Sequence, residues 1–89
     1  MNENKSNSVF RTTETPLAAY LITEGFDLLI LEYAKLPSGK NQATFVFDNN
    51  TPKLKELVSL YNMGVATMNI ALYEHAKARL IDRIMRGLP

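Results

Sequence analysis

The chain has no cysteine, a single histidine and almost no net charge. Without cysteine there are no disulfide frameworks, no thiolate zinc sites and no cysteine nucleophiles. A secreted domain of 89 residues would ordinarily carry a covalent staple. The opening MNENKSNSV also lacks the apolar core of a signal peptide. Both points predict a reducing, cytoplasmic setting. Ten Lys+Arg stand against nine Asp+Glu, for a net charge of +1. Such a balance does not draw polyanions by itself, so any nucleic-acid role needs a local patch. A long hydrophobic run is missing too. The best candidate, TPLAAYLITEGFDLLILEY (15–33), is interrupted by Thr23, Glu24, Gly25 and Asp27. A membrane span needs about 20 apolar residues without a break, so no membrane partner is expected.

What is present reads as one small α+β domain over residues 9–89, preceded by a flexible tail over 1–8. The hydrophobic fraction of 46% is that of a globular chain rather than a disordered one. Thr15-Pro16 is a helix-start signal: Thr caps with its hydroxyl, and Pro suits the first helical position. Ala18, Leu21 and Ile22 follow at helical spacing. Gly25 supplies the left-handed residue that ends helices. FDLLILEY (26–33) is short and rich in branched apolar residues, which suits a strand. The 15–33 stretch is therefore helix, stop and strand.

Upstream, SVFRTT (8–13) is a short strand candidate. Downstream, AKLPSGKNQ (34–42) is turn-rich, and ATFVFDN (43–49) alternates. Ala43, Phe45 and Phe47 face one way; Thr44, Val46 and Asp48 face the other. The two strands make a hairpin with Lys35 and Lys40 at its tip. Thr51-Pro52 starts a second helix with Leu54, Leu57, Val58 and Tyr61 on one face, and Gly64 closes it. Asn69 is a candidate cap for a third helix, with Tyr73, Ala76, Leu80 and Ile84 as its inner stripe and Ile81 and Met85 beside it. The alternative is one helix over 52–86, against which Gly64, Val65 and Thr67 argue.

The order is β-α-β-β-α-α, a three-stranded sheet with helices packed on one face. One feature does not close. In the candidate for the central strand, 27–33, Leu29, Leu31 and Tyr33 point one way while Leu28 and Ile30 point the other, so both faces are apolar. A sheet with one solvated face should be polar there. The expectation is that a partner covers it, as a homodimer or with a partner protein.

The segments also resemble a bacterial family of small domains of unknown function. The likeness rests on Phe10 and Thr12, Ala18 to Leu21 with Gly25, Phe45 to Phe47, Thr51-Pro52, Tyr61, Gly64, and Tyr73, Ala76 and Leu80. These positions are mostly structural, so the resemblance implies a fold and no chemistry. It does imply a setting, among accessory proteins of bacterial chromosomes and mobile elements.

No catalytic motif is matched, and the protein is expected not to be an enzyme. His75 has no second ligand at metal-binding spacing. Ser8, Ser38 and Ser59 have no base that the sequence can name. Gly39-Lys40 lacks the rest of a phosphate loop. No cofactor, metal or small-molecule substrate is implied. Phe45, Phe47 and Tyr33 suit core packing better than base stacking, because the basic and glycine company of an RNA-recognition strand is missing.

The one directional signal is basic. His75, Arg79, Arg83 and Arg86 fall at i, i+4, i+8 and i+11, a stripe on the last helix. Arginine forks suit phosphates, and Lys35 and Lys40 would extend the stripe if they lie nearby. The bland reading is a solvated face opposite Tyr73 and Leu80, with cations favoured near a helix C-terminus. Two functions are therefore expected of this chain. One is a non-enzymatic factor binding DNA or RNA through Arg79, Arg83, Arg86, His75, Lys35 and Lys40. The alternative is a self-associating adaptor module.

Overall fold

The computed structural model describes residues 9–48 and 51–89. The tail expected over 1–8 lies outside the described residues. The elements are β1 (Val9–Thr12), α1 (Thr15–Thr23), β2 (Leu28–Lys35), β3 (Asn41–Asp48), α2 (Pro52–Asn62) and α3 (Ile70–Arg86). The order is the β-α-β-β-α-α of the sequence reading, an α+β fold. The 52–86 stretch is two helices separated by residues 63–69, not one.

The two Thr-Pro pairs behave differently. Thr51 is a true cap: its Oγ1 accepts from the Leu54 N–H at 3.3 Å. Thr15 is not. Its helix begins one residue earlier than expected, with extended Glu14 as the cap residue and no side-chain cap bond. The entering chain is held instead by Thr12, whose Oγ1 accepts from the Glu14 N–H at 3.1 Å. Pro16 remains harmless, since the first-turn N–H groups have no intrahelical partner. Both expected stops are realised. Gly25 (φ +98°) and Gly64 (φ +76°) follow α1 and α2. In each case the next two N–H groups turn back onto the last helical carbonyls: Gly25 to Ile22, Phe26 to Leu21, Gly64 to Tyr61 and Val65 to Leu60. Asn69 caps α3, its Oδ1 accepting from the Leu72 N–H at 3.0 Å.

The strand order is β1-β3-β2, with both outer strands antiparallel to β3. The middle of the sheet is thus the FVF strand, and β2 is an edge rather than the central strand expected, because β1 pairs with β3 and not with β2. The face assignment in β2 is also corrected. Leu28 pairs with Phe47 and Ile30 with Val46, so the register slips by one residue at Leu29. This bulge brings Leu28 onto the same face as Leu31 and Tyr33, opposite Phe47, Phe45 and Ala43, and leaves Leu29 off the ladder. An alternation rule cannot see a one-residue insertion.

The inner face carries Phe10, Phe45, Phe47, Leu28 and Leu31, and all three helices pack on it. On the outer face Val46 is only 4% exposed. The register flanks it with Arg11 and Ile30, and Arg11 Nε reaches across β3 to Glu32 Oε1 at 3.5 Å. That exposed pair contributes little as an ion pair. Leu29 and Ile30 stay open, at 53% and 41% exposure.

Leu17, Ala18, Ala19, Tyr20 and Leu21 are five consecutive residues with exposures between 0 and 3%. A helix apolar all round is a helix enclosed; α1 lies between the sheet, α2 and α3. Tyr20 stacks on Tyr61 of α2, ring centroids 6.0 Å apart. Burial raises both phenol pKa values above the ordinary 10.0. Glu24 and Glu56 add to the effect at Tyr20, and Glu14 and Tyr73 at Tyr61. In α3, Ala76 and Leu80 are buried and Tyr73 and Ile84 pack beside them, as the stripe predicts. Ile81 and Met85 do not join them; Met85 is 82% exposed. No helix among the described residues is long and apolar enough to cross a membrane.

Candidate nucleic-acid interface

The orientation of α3 decides what its cations can reach. Its start is fixed by Asn69. Its end is tied to the sheet by Tyr33, whose hydroxyl donates to the Leu88 carbonyl at 2.8 Å, with the Arg83 carbonyl as a second, weaker acceptor at 3.3 Å. Between these ties Ala76 and Leu80 turn into the core. At 3.6 residues per turn, that rotation swings His75, Arg79 and Arg83 to the flank facing the α1–β2 turn.

A groove of about 420 Å³ runs along this flank. One side is built by Ile22, Thr23, Phe26, Asp27 and Leu28, the other by Leu72, His75, Ala76, Arg79, Leu80 and Arg83. The turn residues are placed there by the helix stop: the bond from Phe26 N–H to Leu21 O folds the ring back against the end of α1. The floor is apolar and partly open. The α3 side carries the cations, and Asp27 is the only carboxylate among the lining residues. A shallower depression beside it is shared by His75, Ala78, Arg79, Asp82 and Arg83.

The expected basic residues divide into three groups. His75 and Arg79 are exposed groove residues. Among the described residues Arg79 has no ion pair and no hydrogen bond, so its guanidinium is free to meet a ligand. Arg83 also lines the groove, but it is half-buried and its Nη2 donates to the Pro89 carbonyl. It therefore does not face away from the inner stripe as the sequence suggests; it flanks Leu80 and carries part of the end of α3. Arg86 lies outside the groove and is paired with Asp82, Nε to Oδ2 at 3.1 Å. Lys35 and Lys40 sit at the hairpin end. Lys35 is seven residues along β2 from Leu28, roughly 23 Å at 3.3 Å per residue. Neither lysine lines the groove. Lys77, on the other side of α3, is held by Glu74 at 3.7 Å and by the Tyr73 ring at 5.3 Å.

Sequence reasoning missed Phe26, Asp27 and Leu72. An apolar residue directly after a helix-ending glycine was a usable signal for Phe26, since that position commonly folds back on its helix. Nothing local joins it to His75, which comes from the far end of the chain. Phe45 and Phe47 are buried in the core and cannot stack on a base, and the Tyr33 hydroxyl is committed to α3.

The Thr23 hydroxyl donates to its own helix, to Ala19 O at 2.9 Å. No group of three His, Cys, Asp or Glu that could hold a metal occurs among the described residues. An apolar floor with a cationic wall suits a ligand that joins an anion to a flat or apolar group. No curated protein and no solved structure matches the chain. A family model described as a domain of unknown function, DUF5659, matches residues 7–87, and the chain belongs to that family.

Proposed function

We propose that the protein is a non-enzymatic nucleic-acid-binding factor that takes the phosphate backbone along α3. The observation that carries this reading is the placement of His75, Arg79 and Arg83 on one wall of an apolar-floored groove, with Arg79 unpaired among the described residues. Arginine in such a position donates a flat fork to phosphate oxygens. The overall charge is too small to supply binding, so the patch must do so. The bacterial or mobile-element setting that the sequence resemblance implies, and the cytoplasmic one expected from the lack of cysteine, offer DNA and RNA as partners. Lys35, Lys40 and Arg86 are assigned no primary contact.

The test is fluorescence anisotropy with labelled DNA and RNA, single-stranded and duplex, across a range of salt. Phosphate contacts make log affinity fall linearly with log salt, by about 0.7 per contact on single strands and about 0.9 on duplex DNA. Absence of salt-sensitive binding to every strand would remove this reading.

A self-associating interaction module is the second reading, favoured by the open Leu29 and Ile30 on the outer face of the β2 edge. A stable interface covers about 800 Å² per partner. Sedimentation equilibrium at micromolar concentration should then show twice the 10.0 kDa of the chain. A monomer under those conditions contradicts self-association.

A further inference from the structure

The groove has two unlike walls. On the α3 side are His75, Arg79 and Arg83; on the turn side are Phe26 and the carboxylate of Asp27. Asp27 is exposed, and among the described residues its side chain has no ion pair or hydrogen bond. Only its backbone is engaged, the carbonyl accepting from the Asp48 N–H at 3.2 Å. A carboxylate there repels phosphate and welcomes a hydrogen-bond donor. It also stands at the C-terminal end of α1, where the helix dipole is negative. The rest of the lining is largely apolar, with Ile22 and Leu28 on the turn side and Leu72, Ala76 and Leu80 on the α3 side, surface that does not suit a phosphate.

From this arrangement we infer the ligand class: a single strand presenting an unstacked base that carries an exocyclic amine, cytosine in the simplest case. The inference rests on the nucleic-acid reading above. The phosphate lies on Arg79 and Arg83, the base lies against Phe26, and the amine donates to the Asp27 carboxylate. A duplex does not satisfy the same surface. Its bases are stacked inside, and it would bring phosphates to a floor that is apolar. The volume of about 420 Å³ falls in the range that holds small organic groups, and a splayed nucleotide is of that order. Aromatic stacking with a cationic wall is the general solution for single strands. Aspartate accepting from the cytosine amine is the matching edge contact. Uracil places a carbonyl oxygen where cytosine has its amine, so it sets acceptor against acceptor.

The experiment compares labelled oligo(C), oligo(U) of equal length, and a duplex of that length, by anisotropy at moderate salt. Parent protein should bind oligo(C) about fivefold or more tighter than oligo(U), from the usual worth of one base-edge contact. Duplex should bind more weakly than oligo(C). Asp27→Asn keeps the shape and removes the charge; an amide can accept from cytosine or donate to uracil, so the ratio should fall toward one. Arg79→Ala should weaken oligo(C) and oligo(U) alike and leave their ratio intact. Phe26→Leu preserves apolar packing but loses the ring, and should weaken both strands by about fivefold or more. Circular dichroism confirms that each variant is folded.

Several results would overturn the assignment. They are equal binding of oligo(C) and oligo(U) by the parent, duplex binding as tight as oligo(C), and a preference that survives Asp27→Asn. A labelled polyglutamate peptide binding as tightly as oligo(C) would overturn it too. If salt-sensitive binding persists while the base preference is absent, this inference falls and the broader reading stands. If no strand binds, both fall.

Discussion

Helices α1 and α3 pack against each other in the same small core, yet they are built on opposite terms. Five consecutive residues of α1, Leu17 to Leu21, are shut away from water, and only its last residues, Ile22 and Thr23, reach the groove. α3 buries only Ala76 and Leu80 fully, with Tyr73 and Ile84 half-buried beside them. Its remaining sides are a cationic groove wall and an exposed apolar flank with Met85. The contrast separates where stability comes from and where recognition can reside. The enclosed side chains of α1, Leu17 to Leu21, should be costly to change and silent in binding; the outward cations of α3 should be the reverse.

The largest effect should come from Leu21→Ala, which empties a fully buried position of α1. A loss of about 2–5 kcal/mol in denaturant unfolding is expected for such a cavity. In a domain of this size that approaches the whole stability. A loss below about 1 kcal/mol would mean that α1 is not enclosed.

Next come the helix stops. Gly25→Val and Gly64→Val force a β-branched residue to positive φ, at +98° and +76°. A Cβ at either position meets nothing within 4 Å, so the cost is backbone strain alone. About 1–2 kcal/mol or more is expected at each in thermal or chemical melts. Parent-like melts would show that α1 and α2 end elsewhere.

These stops also mark how far the sequence was legible. Gly25, Gly64, Thr51 and Asn69 act within a few residues of themselves, so their chemistry can be read locally. Thr15 shows the limit of that method. Its hydroxyl was in the right place by pattern, but Thr12 took the entering chain and the helix began one residue sooner. The Leu29 bulge is invisible to alternation, because one inserted residue exchanges the two faces of the strand. Half of the site was readable as well. The spacing of His75, Arg79 and Arg83 placed them in one stripe. Arg86 fitted the same spacing, but Asp82 claimed it. The other half, Phe26 and Asp27, meets the stripe only through tertiary packing.

A smaller effect separates the interior from the surface by pH. The Tyr20 and Tyr61 phenols have pKa values raised in the folded state, chiefly by burial. The folded form then holds its phenolic protons more tightly than the unfolded one. Their contribution is fully present below the ordinary value of 10.0 and is lost as pH rises through the folded values. The melting temperature should fall above about pH 10, and Tyr20→Phe should soften the fall. An unchanged pH profile in Tyr20→Phe would argue that this phenol is not titrating in the unfolding equilibrium.

The smallest expected change in stability is also the most informative variant. Arg79→Ala removes an exposed side chain and should alter unfolding by no more than about 0.5 kcal/mol. Arg83→Ala should cost more than Arg79→Ala, since Arg83 holds the Pro89 carbonyl. The central claim is that phosphate is met in the groove and not at the hairpin. The most direct measurement is the salt slope of single-strand binding for the parent, Arg79→Ala and Lys40→Ala. The account predicts that Arg79→Ala lowers the slope by about 0.7 and that Lys40→Ala leaves it unchanged. A parent-like slope for Arg79→Ala, or an equal loss for Lys40→Ala, would contradict it.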